Sequence, residues 1–137
     1  MLVVDASFLM AGFVEETHTD FARDLLARTE DEMAAPGLMF WEFSNILWKK
    51  CRRGEILDRH LDDALSYLDA LAVQAADPPL LIEMPELVRT AVRTELTAYD
   101  AAYLTLALAQ EAALATTDKD LAAAAVALGV SVHAPFA

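Results

Sequence analysis

Residues 2–8 read LVVDASF, and the way this stretch is read decides the fold. Leu2, Val3 and Val4 form an unbroken apolar run that Asp5 ends. An unbroken run, rather than an alternating one, suits a strand covered on both faces, as in a parallel sheet packed between helices. Residues 113–120, ALATTDKD, repeat the arrangement, with a short apolar run that leads to Asp118. In open parallel sheets, ligands bind at the carboxyl ends of strands beside a switch in strand order. If these two strands are neighbours, Asp5 and Asp118 converge there. Both residues also have plainer readings. Asp5 can serve as a turn or cap ahead of a helix near Ser7. Asp118 can cap a helix beginning at Lys119, where Thr117 and Asp120 resemble a capping box.

The rest of the chain alternates in the same way. The pattern predicts a strand over 2–5, a short helix over 7–14 and a helix capped by Thr17 that runs to Thr29. A strand over 33–35 follows, ended by Pro36–Gly37. A long helix over 38–53 stops at Gly54. Asp58 caps the next helix, in which Leu61, Leu65, Leu68 and Leu71 recur at helical spacing. A strand over 73–75 precedes a helical region over 79–94, broken near Pro85. Thr97 opens a helix to Glu111. A strand over 113–116, a helix over 119–128 and a strand over 130–133 complete the chain. Strands alternating with helices predict an α/β fold with a mostly parallel sheet and helices on both faces. A length of 137 residues suits a single domain, 1–137.

Composition narrows the class. Hydrophobic residues make up 56 % of the chain, enough for a large core, and this argues against disorder. The single cysteine, Cys51, cannot form an internal disulfide, which predicts a reducing, cytoplasmic setting. The first residues lack a basic segment, so no signal peptide is expected, and no apolar run is long enough to span a membrane. Net charge is −12, from 22 acidic and 10 basic residues, which argues against nucleic-acid binding by the whole surface. It leaves room for a site in which bound cations reverse the local field.

Two further acids stand out. Glu42 lies within the long helix, and its neighbours three and four positions away are Leu38, Met39, Asn45 and Ile46. None can form the intrahelical ion pair that usually accounts for a helix glutamate. A carboxylate beside Met39, Phe43 and Ile46 must be neutralised, paired with a distant Arg or Lys, or bound to a cation. Asn45, one turn on, can hydrogen-bond whatever Glu42 holds. Asp100 completes a T-x-x-D capping pattern with Thr97, yet it shares the apolar face of Tyr103, Leu104 and Ala107. Four gathered carboxylates repel one another unless cations lie between them. An all-oxygen set suits Mg²⁺ or Mn²⁺. His18, His60 and His133 have no metal-motif spacing, so a zinc-type site is not expected.

LVVDAS, WEFSNILWK, LTAYDAAYLTLA and LATTDKDLAAAA followed by LGVSV, in this order and spacing, resemble a PIN-domain ribonuclease. The resemblance spans nearly the whole chain and is closest to the toxin of a VapBC-type toxin–antitoxin pair. It implies a three-layer α/β/α fold and RNA cleavage dependent on Mg²⁺ or Mn²⁺, leaving a 5′-phosphate and a 3′-hydroxyl. It assigns the acidic site to Asp5, Glu42, Asp100 and Asp118, with Ser7, Asn45 and Thr116 nearby and Asp120 as a helper or a cap. It also implies a cognate small antitoxin, laid in an apolar groove, and a homodimer. Lys49, Lys50, Arg52 and Arg53 then have two readings, as phosphate grips for RNA or as cations favoured at a helix C-terminus. Phe40, Trp41, Phe43 and Trp48 read as core or partner-groove residues.

Two alternatives compete with the nuclease. A receiver- or phosphatase-type domain would phosphorylate a strand-end aspartate. The phosphatase pattern wants a second acid two residues after the first, where Ser7 stands; the receiver pattern wants paired acids near the first strand. A catalytically silent PIN domain would act only as a binding module, but all four acids are present.

Overall fold

In the computed structural model, which describes residues 1–136, five strands form one sheet in the order β3-β2-β1-β4-β5. They are β1 (Leu2–Val4), β2 (Met33–Pro36), β3 (Gln74–Ala76), β4 (Ala113–Ala115) and β5 (Val132–His133). Every pairing is parallel. The seven α-helices are α1 (Ala6–Phe13), α2 (Thr19–Arg28), α3 (Leu38–Arg52), α4 (His60–Leu71), α5 (Met84–Thr94), α6 (Ala98–Ala109) and α7 (Lys119–Ala127). The result is a three-layer α/β/α fold. Strand β1 is the middle strand and is buried along its whole length, which is why Leu2, Val3 and Val4 are all apolar.

The strand order places the site. From β1 the chain proceeds outward through β2 to β3 on one side, then crosses back to β4 and β5 on the other. The switch lies between β1 and β4, where adjacent crossovers depart to opposite sides and leave a crevice at the carboxyl edge. The register sets Val4 opposite Ala115, and the Asp5 N–H donates to the Ala115 carbonyl at 3.3 Å. The residues that follow β1 and β4 are therefore neighbours.

Around this edge the core is continuous. Helix α6 packs on β1, β2 and β4 through Ala101, Tyr103, Leu104 and Ala107, with α5 packed against it. Helix α1 packs on α2 and α3. Phe8 meets Phe21 edge to face at 6.0 Å, and Phe13 touches both Phe43 and Tyr67. The Tyr67 hydroxyl donates to the Leu9 carbonyl at 2.6 Å, which ties α4 to α1. Gly54, with φ +72°, ends the turn after α3 in the left-handed region that glycine enters freely.

Several boundaries differ from the sequence reading. Helix α1 starts at Ala6, capped by Asp5 rather than near Ser7. Thr17 does not cap α2. The helix begins at Thr19, whose hydroxyl donates to the Val14 carbonyl and accepts from the Glu16 N–H, closing the preceding loop. Asp58 provides no side-chain cap to α4; instead His60 Nδ1 accepts from the Leu57 N–H. Pro36 lies inside β2 at its last position, where the lost N–H costs no interior ladder bond. The region after Pro79 is irregular up to a short 3-10 helix, Leu81–Glu83. Trp41 and Trp48 are not core, being 81 % and 53 % exposed, and Phe40 is also exposed; only Phe43 of the four aromatics is buried.

Candidate active site

One cleft of about 220 Å³ opens at the switch point and is lined by Asp5, Ser7, Glu42, Asn45, Asp100 and Asp118, with Ala6, Ile46 and Tyr103. The four acids singled out in the sequence thus share a single surface, although they come from the ends of β1 and β4 and from α3 and α6.

Asp5 is held most firmly. It is buried and caps α1: Oδ1 accepts from the Phe8 N–H and the Ser7 hydroxyl, each at 2.8 Å, and Oδ2 accepts from the Thr116 hydroxyl. Thr116 is wholly buried behind the cleft, and its Oγ1 in turn accepts from the Asp118 N–H at 2.9 Å. The Ser7 hydroxyl oxygen accepts from the Thr117 N–H at 3.3 Å. Ser7 and Thr116 therefore stitch the β1–α1 turn to the β4–α7 turn. Burial pushes the Asp5 carboxyl up to about 6; the hydrogen bonds from Thr116, Phe8 and Ser7 oppose this, and the charge of Asp118 adds to it.

Asp118 both caps a helix and lines the cleft. Its Oδ1 accepts from the Asp120 and Leu121 N–H groups at 2.9 and 3.0 Å, capping α7. Its Oδ2 has no donor among the described residues. The Thr117–Asp120 capping box does not form, since the cap is Asp118 itself. Asp120 stands outside the cleft and reaches it only through its charge.

Glu42 is half-buried on α3. Its partner is not the distant cation that sequence allowed but Tyr103, whose hydroxyl donates to Glu42 Oε1 at 2.5 Å. Burial raises the Glu42 pKa, the Tyr103 bond offsets part of that, and the Asp100 charge raises it further. Tyr103 is buried on α6, three residues after Asp100. Burial, the bond to Glu42 and the charges of Glu42 and Asp5 hold its hydroxyl proton far above the usual phenol range, so it acts as a donor. Thr97 caps α6 by accepting from the Asp100 N–H, which leaves the Asp100 carboxylate facing the cleft. Burial and the charges of Asp118 and Asp120 raise its pKa, and Thr97 opposes them. Sequence inspection missed Tyr103, which drew notice only as a face-mate of Asp100.

The donor set fits a hard divalent cation. The ion pairs among the described residues involve none of the four acids. Three of the four have raised pKa values, in part through one another. A divalent cation would relieve that repulsion. Among the described residues no group of three or more Asp, Glu, His or Cys side chains is close enough as it stands to hold a metal ion. Mg²⁺ does not require such a group, since it keeps several waters and takes only one or two carboxylates.

The basic run divides. Lys49 lies seven residues after Glu42, on the same side of α3 and about 10 Å further along its axis. Lys49, Arg52 and Arg53 line a shallow hollow of about 300 Å³ with Trp48, and the Arg52 guanidinium stacks 5.2 Å from the Trp48 ring centroid. Lys50 is directed elsewhere, to Glu55 at 3.4 Å. If the hollow grips phosphates, Lys49→Ala with Arg53→Ala flattens the salt dependence of RNA affinity by about 0.7 per lost contact on a single strand, and Lys50→Ala does not. Affinity measured across a salt series checks this. An unchanged slope in the double variant would leave these residues as helix-end cations.

Comparison with known proteins gives the family and the fold independently of the site. The PIN domain family model matches residues 2–127. The chain is 31 % identical over 125 residues to Ribonuclease VapC3 of Pyrobaculum aerophilum, covering 88 % of this chain and 92 % of that protein. It is 35 % identical over 104 residues to Exonuclease VapC9 of the same organism, covering 73 % and 72 %. The crystal structure of PAE2754 from Pyrobaculum aerophilum superposes with a TM-score of 0.66 at 32 % identity, over 96 % of this chain and 82 % of that one. Mycobacterium tuberculosis VapC20, described as a toxin that cleaves the sarcin–ricin loop, superposes with a TM-score of 0.72 at 17 % identity, over 90 % and 95 %, and attests the fold alone. The chain belongs to the PIN-domain family, and its relatives there are VapC nucleases. No helix among the described residues is long and apolar enough to cross a membrane.

Proposed function

We propose that the chain is an endoribonuclease dependent on Mg²⁺ or Mn²⁺, the toxin of a toxin–antitoxin pair, acting in the cytoplasm. The observation that carries this reading is the gathering of Asp5, Glu42, Asp100 and Asp118 on one cleft with no cationic side chain among the described residues paired to any of them. A divalent cation held there would neutralise the site toward a phosphodiester and acidify a water toward hydroxide near neutral pH. Asp5, fixed through both oxygens, and Asp118, with Oδ2 free of protein donors among the described residues, would hold it from the sheet edge. Glu42 and Asp100 would face it from α3 and α6. Asn45, on the rim, would contact the substrate or its water, and Lys49, Arg52 and Arg53 would hold phosphates away from the scissile bond.

Among the residues that line the cleft there is no cysteine, lysine or histidine and no free aliphatic hydroxyl. The one aliphatic hydroxyl on it, that of Ser7, is already bonded to Asp5 and Thr117. The phosphoacceptor alternative has less support, because the position two residues after Asp5 is Ser7 rather than a second acid. The cognate antitoxin and a second copy of the chain are the partners this reading adds. Trp41, Trp48, Ile82 and Val92 supply exposed apolar surface that such partners would cover.

The test is cleavage of a closed circular RNA with Mn²⁺ and with EDTA. Linearisation only with Mn²⁺ is expected. Degradation that requires a free end would give the chain the exonuclease behaviour carried in the name of one relative. Equal cleavage in EDTA would remove the metal from the mechanism.

A further inference from the structure

We infer that Tyr103 is a positioning residue for the acidic cleft, its hydroxyl fixing Glu42 from a different helix. The inference rests on the divalent-cation reading of the cleft. The four carboxylates are anchored differently. Asp5 and Asp118 stand at helix starts, where unused backbone N–H groups point at them. Glu42 lies inside α3, where the backbone donors are consumed by the helix itself. Its orientation must come from another element, and among the described residues Tyr103 is the donor that reaches it.

The support behind that donor is rigid. Tyr103 is 1 % exposed and belongs to the buried core, and its hydroxyl bonds Glu42 where both residues line the cleft. It lies one turn after Asp100 on α6, so the bond links α3 to α6 and sets the separation of the two carboxylates that approach the cleft from helices. With Oε1 engaged by the phenol, Oε2 is the oxygen left for a cation. Outer partners of this kind orient carboxylate ligands, and their loss commonly weakens metal binding or activity about 10- to 100-fold.

The decisive substitution is Tyr103→Phe in the full chain, which removes one oxygen and keeps the ring. The expected result is a folded chain whose Mn²⁺ affinity, read by titration calorimetry, falls about 10-fold or more. In RNA cleavage kcat falls while KM stays close to wild type. On a Glu42→Ala background Tyr103→Phe causes no further loss, because Tyr103 acts through Glu42. Glu42→Asp withdraws the carboxylate from Tyr103 without touching the core and should lose Mn²⁺ affinity as Glu42→Ala does, which tests the idea even if Tyr103→Phe unfolds. Wild-type Mn²⁺ affinity in Tyr103→Phe or in Glu42→Asp would overturn the inference and leave the metal reading intact. So would an equal loss in the Glu42→Ala background. A wild-type chain that binds no Mn²⁺ would overturn the metal reading, and the inference with it.

Discussion

On the proposed reading, Asp5→Asn and Asp100→Asn are each expected to lower Mn²⁺-dependent RNA cleavage by on the order of 10²-fold or more, while the chain stays folded. The two substitutions change charge with almost no change in shape. The amide oxygen that Asp5→Asn introduces would still accept from the Phe8 N–H, so α1 keeps its cap. Asp100 gives its backbone N–H to the Thr97 side chain, and an asparagine oxygen can still accept from Thr97 as the carboxylate does, so α6 also persists. What disappears in each case is one negative charge facing the cleft. Asp120→Asn is the contrasting variant. It lies two residues from Asp118 and carries the same charge, but it does not line the cleft. Its effect should stay within a few-fold, because it acts on Asp100 only at a distance. Single-turnover cleavage by all three variants, with thermal melts to certify folding, checks the set. Loss of activity in Asp120→Asn as large as in Asp5→Asn would mean that net charge, not the cleft, governs cleavage.

The parts legible in the sequence are those whose causes are local or periodic. Leu2–Val4 announces a strand because a middle strand, buried on both faces, has no reason to alternate. The aspartates at its end and after β4 announce a site because the carboxyl edge at a switch point is where chains leave the sheet. Glu42 is legible through what it lacks, an i±3 or i±4 partner. Its actual partner is not legible, since the bond to Tyr103 spans 61 residues and depends on how α3 and α6 pack. Asp118 poses cap against site as a choice, but the two do not exclude one another, because the cap uses only Oδ1 and leaves Oδ2 on a cleft-lining residue. Trp41 and Trp48 stay between core and partner groove in the sequence for a general reason. Periodicity identifies an apolar residue but not whether the same chain covers it. The start of α2 is misplaced because Thr17 and Thr19 are equivalent as letters, and only the tertiary loop selects Thr19.

Asp5 also makes stability depend on pH in the opposite sense to an ordinary ion-paired carboxylate. Its folded-state value of about 6 lies above its ordinary 3.8, chiefly because burial disfavours the charge. Between those values the native chain holds a proton that the unfolded chain has released. The contribution to stability is therefore fully present below about pH 4, declines as pH rises through about 6, and is absent above about 7. A difference of that size corresponds to about 3 kcal/mol. In EDTA, Asp5→Asn should therefore gain on wild type by about 2–3 kcal/mol as pH rises from about 4.5 to about 8. The amide introduced beside the Thr116 hydroxyl carries some cost of its own, but that cost does not titrate and cancels between the two pH values. Glu42 and Asp100, whose values are also raised, remain in both chains and largely cancel as well. Adding Mn²⁺ at the higher pH should then reverse the order. Wild type gains RT ln(1 + [L]/Kd), about 2.7 kcal/mol at a hundredfold excess over Kd, and the variant gains little. Denaturant melts of both proteins at the two pH values, with EDTA and with Mn²⁺, carry the comparison. A difference between the proteins that is the same at both pH values in EDTA would show that Asp5 ionises normally, and a gain from Mn²⁺ that is equal in both would show that Asp5 holds no cation.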